Sequence, residues 1–274
     1  MNRGTSDKQS SDQSTVSVNA PSSAGLSAGQ MDLVNQEASA AQETPTSWSA
    51  SANRIASLPT PQLLRVDQVS DGWIKKYLLT YRLPDGKEFT YESISRKGLE
   101  AYRAELESFA HNALHPSRRL VADAVCIVPR TADDRLVLIR EFRYPVNSWC
   151  IAFPAGLIDP GETVEQAVER ELREETGYAL RRDVHGQAHV RTLSQPGFSS
   201  VGMSEESVQV VYVHVENEPT LGQMTESVEY IQVFTVPVRD VPRFLNENAL
   251  PIGTRAQLIL EAFSNNVKRY GVAH

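Results

Sequence analysis

Residues 156–178 read Gly-Leu-Ile-Asp-Pro-Gly-Glu-Thr-Val-Glu-Gln-Ala-Val-Glu-Arg-Glu-Leu-Arg-Glu-Glu-Thr-Gly-Tyr, and the spacing of their carboxylates is a spacing for chemistry. Pro160 and Gly161 punctuate a turn, Thr163 stands where it caps a helix, and Gly177 stands where it ends one. At about 100° per residue, Val164, Ala167, Val168 and Leu172 form one apolar stripe. Glu165, Gln166, Glu169 and Arg173 fall outside it, with Glu169 and Arg173 one turn apart and able to pair. Glu171 and Glu175 do not join that outer group. They project between Val164 and Val168, on the side that faces the protein. Inward carboxylates are costly without a counter-charge. A hard divalent cation with oxygen ligands supplies one, and Mg2+ bridges naturally to phosphate oxygens. A solvated charge run is the ordinary reading of a Glu-rich helix. The inward phase of Glu171 and Glu175 argues against it here.

The elements that must hold these groups sit in a chain of 274 residues, enough for one large domain or two small ones. Charged residues make up 22% and hydrophobic ones 41%, an ordinary globular balance. The net charge of −7 excludes a broad nucleic-acid or anionic-membrane surface. An anionic substrate must therefore be met by local arginines or by metal. No apolar run approaches the length of a membrane span, and no signal-peptide core follows Met1, so a cytoplasmic location is expected. Cys126 and Cys150 read as buried thiols in a reducing compartment, with a disulfide as the alternative.

Residues 1–57 are rich in Ser, Ala, Gln, Asn and Thr, with Trp48 as their sole aromatic. They are expected to form a disordered low-complexity tail, because they cannot bury enough apolar surface to offset ordering. Residues 58–118 read as a small β-rich subdomain, and 119–274 as the main domain. In the first, β-rich segments over Trp73–Arg82 and Lys87–Ile94 flank a turn at Pro84-Asp85-Gly86, and 97–114 reads as helix. In the second, strands are expected over Val121–Pro129, Leu136–Phe142, Trp149–Phe153, Glu206–Val215 and Val228–Val236. A short helix begins at Val241, and Thr254–Tyr270 is a longer one with Ala256, Ile259, Leu260, Phe263 and Val267 on one side. Strands around a central helix, followed by a terminal helix, suggest an α/β sandwich with a mixed sheet.

Gly156, Glu162, Arg170, Glu171, Glu174, Glu175 and Gly177 satisfy G-x5-E-x7-R-E-U-x-E-E-x-G-U, where U is apolar: the Nudix box. The chain therefore resembles a Nudix hydrolase. Arg140-Glu141-Phe142-Arg143-Tyr144-Pro145, Phe153-Pro154-Ala155-Gly156 and Ser194-Gln195-Pro196-Gly197 are similar to the ADP-ribose pyrophosphatase branch. So are Trp73, the strand pair around Pro84-Asp85-Gly86, and Tyr91-Glu92-Ser93 leading to Arg96. The resemblance implies the Nudix fold, an α/β/α sandwich with a mixed sheet plus a small N-terminal β-rich subdomain. It implies Mg2+, with Mn2+ as a substitute, held by Glu171 and Glu175, with Glu174 and the backbone carbonyl of Ala155 supporting. It implies that Arg170 orients the carboxylates, that Glu162 secures the loop or the outer metal shell, and that Arg96 and Arg143 contact a diphosphate. Glu229 is then the first choice for the base, with Glu226 a close second. Trp73 and Tyr91 would stack adenine across a homodimer; Tyr91 stands where the branch often has tryptophan, and tyrosine also stacks.

The activity implied is hydrolysis of ADP-ribose to AMP and ribose 5-phosphate. The alternatives are the same cleavage of another nucleotide sugar such as GDP-mannose, or of a dinucleotide, and a non-catalytic nucleotide-sensing module. Other constellations carry less. His111 and His115 have zinc-ligand spacing but lack an adjacent glutamate and a third ligand. Gly197–Gly202 is not a nucleophile elbow, because its second glycine comes one residue late.

Overall fold

Pro84-Asp85-Gly86 closes the first hairpin. Gly86 adopts a φ of 86°, its N–H donates to Leu83 O at 2.9 Å, and Leu83 N–H donates to Lys87 O at 2.7 Å. The computed structural model describes residues 58–112, 120–225 and 227–270; the expected tail over 1–57 lies outside them, as does Glu226. The hairpin belongs to a three-stranded antiparallel sheet of β1 (Gln62–Gln68), β2 (Lys75–Arg82) and β3 (Glu88–Ser95). Helix α1 (Leu99–Asn112) covers it through Tyr102, whose ring centroid lies 4.6 Å from that of buried Tyr77. Lys97 ties this layer to the helix and to the segment that follows, with its ammonium 2.7 Å from both Glu105 and Asp123.

The main sheet has eight strands: β4 (Ala124–Thr131), β5 (Arg135–Arg143), β6 (Ser148–Ala152), β7 (Ala155–Leu157), β8 (Val190–Thr192), β9 (Gly197–Phe198), β10 (Ser207–Val215) and β11 (Ile231–Pro237). Its order is β11-β5-β4-β10-β8, with β6 on β5, β7 on β4 and β9 on β10. The β4–β10 pair is parallel and the other strand pairs are antiparallel, so the sheet is mixed. Strands β4 and β5 share the register pair Arg130↔Leu136 and then part. The chain from 148 to 157 fills the wedge: β6 pairs with β5, β7 pairs with β4, and Ile127 N–H donates to Pro154 O at 2.8 Å.

Strand alternation divides the core. Ala124, Cys126 and Val128 pack toward α3 (Val241–Glu247) and α4 (Thr254–Tyr270), through Val241, Ala256 and Leu260. Val125, Ile127 and Val137 pack toward α2 (Val164–Thr176), through Ala167, Val168 and Leu172. The result is the expected α/β/α sandwich with an additional small sheet. Cys126 is buried, Cys150 is half-buried, and both are free thiols. Among the described residues no helix is long and apolar enough to cross a membrane.

Candidate active site

Local chemistry fixes both ends of α2. Thr163 Oγ1 accepts from Gln166 N–H at 3.2 Å, and the Gln166 side chain accepts from Thr163 N–H at 2.8 Å, a reciprocal capping box. Gly177 ends the helix at a φ of 71°, where a Cβ would overlap Leu221 O. With Ala167, Val168 and Leu172 fully buried against the sheet, Glu171 and Glu175 turn inward. Glu175 is only 6% exposed, and its Oε2 accepts from Ala155 N–H at 3.0 Å. The Glu171 carboxyl lies so close over Gly156 that a Cβ there would overlap it. Strand β7 thus meets α2 through one backbone N–H and one missing side chain.

Arg170 does not sit in an outer salt bridge. Its guanidinium donates to both oxygens of Glu162 (2.9 and 2.8 Å), to Glu171 (2.6 Å), to Leu157 O (2.8 Å) and, longer, to Glu174 (3.4 Å). Glu162 also accepts from Asp159 N–H at 3.0 Å, which closes the turn before the helix. The hydrogen bonds with Arg170 hold Glu162 below the ordinary carboxylate pKa. Glu171 and Glu175 go the other way. Burial raises Glu171 despite Arg170, and raises Glu175 well above the usual value despite the Ala155 N–H.

A carboxylate outside the expected set stands beside them. Glu141 continues the row Val137–Ile139 of β5, which faces the α2 side. Burial raises its pKa, against the pull of Arg143. Arg143 Nη2 stands 2.6 Å from Glu141 Oε2 but off the line of a good hydrogen bond, so that buried oxygen is attracted without being satisfied. Glu229 lies just before β11, whose Ile231 is in register with Glu141. Phe142 N–H to Tyr230 O (3.1 Å) and Tyr144 OH to Val228 O (3.0 Å) hold that approach against β5. Glu229 is exposed, yet its charge helps raise Glu141, Glu171 and Glu175. Carboxylates from β5, α2 and the start of β11 therefore share one negative field.

This donor set consists of hard oxygens, from buried Glu175 to exposed Glu229, that repel one another. It fits Mg2+, which takes one or two carboxylates and completes its shell with water and substrate phosphate. Among the described residues no three His, Cys, Asp or Glu side chains converge as a preformed metal-ligand group.

The structure thus gathers Ala155, Glu162, Arg170, Glu171, Glu174 and Glu175, with Arg143 and Glu229 beside them. Other expected residues lie apart. Trp73 is 73% exposed in the turn before β2. Tyr91 on β3 donates its OH to Gly202 O at 2.7 Å and lines an apolar cleft of about 910 Å³ with Leu79, Phe89, Phe198 and Met203. That cleft is not at the carboxylates, and Trp73 does not line it. Arg96 forms an ion pair with Glu206. The expected pairing of Glu169 with Arg173 does not form: Glu169 pairs with Arg182 at 2.8 Å, and Arg173 donates to Met224 Sδ at 3.5 Å. The loop after α2 reaches Glu169 with a full guanidinium, which the helix sequence alone does not announce.

Comparison with known proteins places this geometry. The NUDIX domain family matches residues 120–254. The chain is 30% identical over 221 residues to an ADP-sugar pyrophosphatase of Mus musculus, covering 75% of this chain and 83% of that protein. It is 29% identical over 181 residues to an ADP-ribose pyrophosphatase of Saccharomyces cerevisiae, covering 65% of this chain and 70% of the relative. The crystal structure of an ADP compounds hydrolase shares the fold, with a TM-score of 0.56 and 24% identity over 78% of this chain and 98% of that one.

Proposed function

Because this chain belongs to the Nudix family of hydrolases, we propose that it cleaves the diphosphate of nucleoside diphosphate-linked compounds, with ADP-ribose giving AMP and ribose 5-phosphate. The observation that carries the reading is the pair of half-buried Glu171 and buried Glu175 on the inward face of α2, held against β7 at Ala155 and Gly156. Relatives that are an ADP-sugar and an ADP-ribose pyrophosphatase support the substrate class.

In this reading Glu171 and Glu175 hold Mg2+, or Mn2+ in its place, with Glu174 and the Ala155 carbonyl assisting. A divalent metal there neutralises phosphate charge and acidifies the attacking water. Arg170 keeps the Glu171 carboxylate oriented by a charge-assisted bond while Glu162 anchors the guanidinium. Arg143 and Arg96 offer forked donors to the diphosphate oxygens. Glu229 takes the proton of the attacking water, and Glu226 is the alternative base. Trp73 and Tyr91 stack the adenine. The cleft that Tyr91 lines excludes the carboxylates within one chain, which supports a homodimer in which the 58–118 subdomain completes the partner's site and 119–274 is the hydrolase domain. The free thiols Cys126 and Cys150 support a cytoplasmic location. Neither nucleic acid nor a membrane is a partner in this reading.

Release of AMP from ADP-ribose by purified protein in Mg2+ tests it, with E175Q as the control. Activity confined to GDP-mannose or a dinucleotide would move the substrate, and equal activity of E175Q would remove Glu175 from the site.

A further inference from the structure

Away from the carboxylates, β4, β10 and β8 align cationic side chains in one cross-strand row. His214 is in register with Arg130 on β4. On its other side, His214 N–H donates to His189 O at 3.3 Å, and the two imidazole centroids are 4.7 Å apart. One step back along β10, Tyr212 is in register with Arg191, whose guanidinium lies 4.2 Å over the ring. These positions share the α4 face of the sheet and, with Asn266 of that helix, line a cleft of about 310 Å³. None of the lining residues belongs to the carboxylate site.

Like charges set opposite each other across strands destabilise a sheet. Arg181, whose N–H donates to His214 O at 2.9 Å, adds a further cation. Arg130 is offset by Asp134 at 2.6 Å. Among the described residues no acidic side chain pairs with Arg181, Arg191, His189 or His214. Burial, then His189, Arg130 and Arg181, hold the His214 imidazole below its ordinary pKa, and an opposite charge in the cleft would raise it. Stacking on Tyr212 uses the face of the Arg191 guanidinium and leaves its in-plane N–H donors for an oxyanion. Donors from neighbouring strands around one small cleft suit a group with several acceptor oxygens.

We propose that this cleft binds a phosphate group, either inorganic phosphate or the phosphate of a small ester, between Arg191, His189 and His214. The volume is at the lower end of small-ligand sites, room for the phosphate and about one sugar ring. Binding here needs no hydrolysis, so it stands apart from the reading of the carboxylate site.

The test uses imidazole NMR of the full-length, metal-free protein, which keeps phosphate from being drawn to the carboxylates. Of the six histidines, His189 and His214 are assigned with H189Q and H214Q. Inorganic phosphate is added near the ordinary imidazole value of 6.5, with sodium chloride at matched ionic strength as control. Both resonances should shift saturably and the His214 pKa should rise. The double variant R181Q/R191Q, changed at two exposed positions, should weaken the effect by about tenfold or more. Ribose 5-phosphate tighter than inorganic phosphate would assign the cleft to an ester; equal binding would assign it to the free ion. A shift reproduced by chloride, or unchanged in R181Q/R191Q, would overturn the proposal.

Discussion

Glu175 must be neutral or compensated, because burial raises its pKa well above 4.5 and Glu171, Glu141 and Glu229 push the same way. A raised folded-state value means that the contribution of protonated Glu175 is fully present below the unfolded value of 4.5 and is lost as pH rises through the folded value. E175Q, permanently neutral, should therefore match wild type in acid and become increasingly the more stable toward neutral pH in metal-free buffer. Thermal unfolding across that range measures this, and a pH-independent difference would refute the burial argument. Mg2+ should narrow the gap by binding the ionised carboxylates of the native state. Glu229 faces a different test, since a base acts in the transition state. E229Q should lower kcat by roughly 10²–10⁴-fold with KM nearly unchanged. E226Q is the matched comparison, and the larger loss there would exchange the roles.

At the scale of elements, the site depends on how closely β7 approaches α2. Gly156 is glycine for space: its φ is not positive, but any Cβ meets the Glu171 carboxyl. G156A should fold, since the strand can shift slightly at the sheet edge of the wedge. It should displace Glu171 and cost about 100-fold in turnover, the scale of a small misplacement of catalytic groups. Circular dichroism with steady-state kinetics checks it; full activity would show that Glu171 has room to move. The loop before β11 matters in the same way. Gln223 Nε2 bonds Glu175 O at 2.7 Å and Met224 N–H bonds Glu174 O at 2.9 Å, so α2 anchors one end of the segment and β5 the other.

For the whole molecule, the exposed aromatic residues give a test of the proposed assembly. Trp73 and Tyr91 make no hydrogen bond to the carboxylate set among the described residues, and both expose large apolar surface, 73% and 41%. Exposed aromatic surface, in Tyr91 beside an apolar cleft, is the kind that marks an interaction surface. Light scattering of the full chain should give a dimer, and W73A should raise KM for ADP-ribose more than it lowers kcat, since it removes binding and not chemistry. A fully active monomer would defeat the assembly.

The phase of α2 was legible without tertiary information, because the caps Thr163 and Gly177 and the stripe Ala167, Val168, Leu172 lie within one helix. Periodicity inside an element is a local property, and it carried Glu171 and Glu175 inward with it. The same argument applied to Val137–Ile139–Glu141 would have found Glu141, since a carboxylate in the buried row of a strand is as costly as one on the buried face of a helix. Strand β1 is not legible in the sequence because Gln-Leu-Leu-Arg-Val-Asp-Gln lacks clean alternation, nor β7 because three residues cannot show a period. What only the tertiary structure decided is the parting of β4 from β5, which sets Ala155 and Gly156 under Glu175 and Glu171. It also decided the Glu169–Arg182 pair and the His189–His214 row. Each of these joins residues from different elements, and such pairings exist only once neighbouring strands and loops have chosen their register.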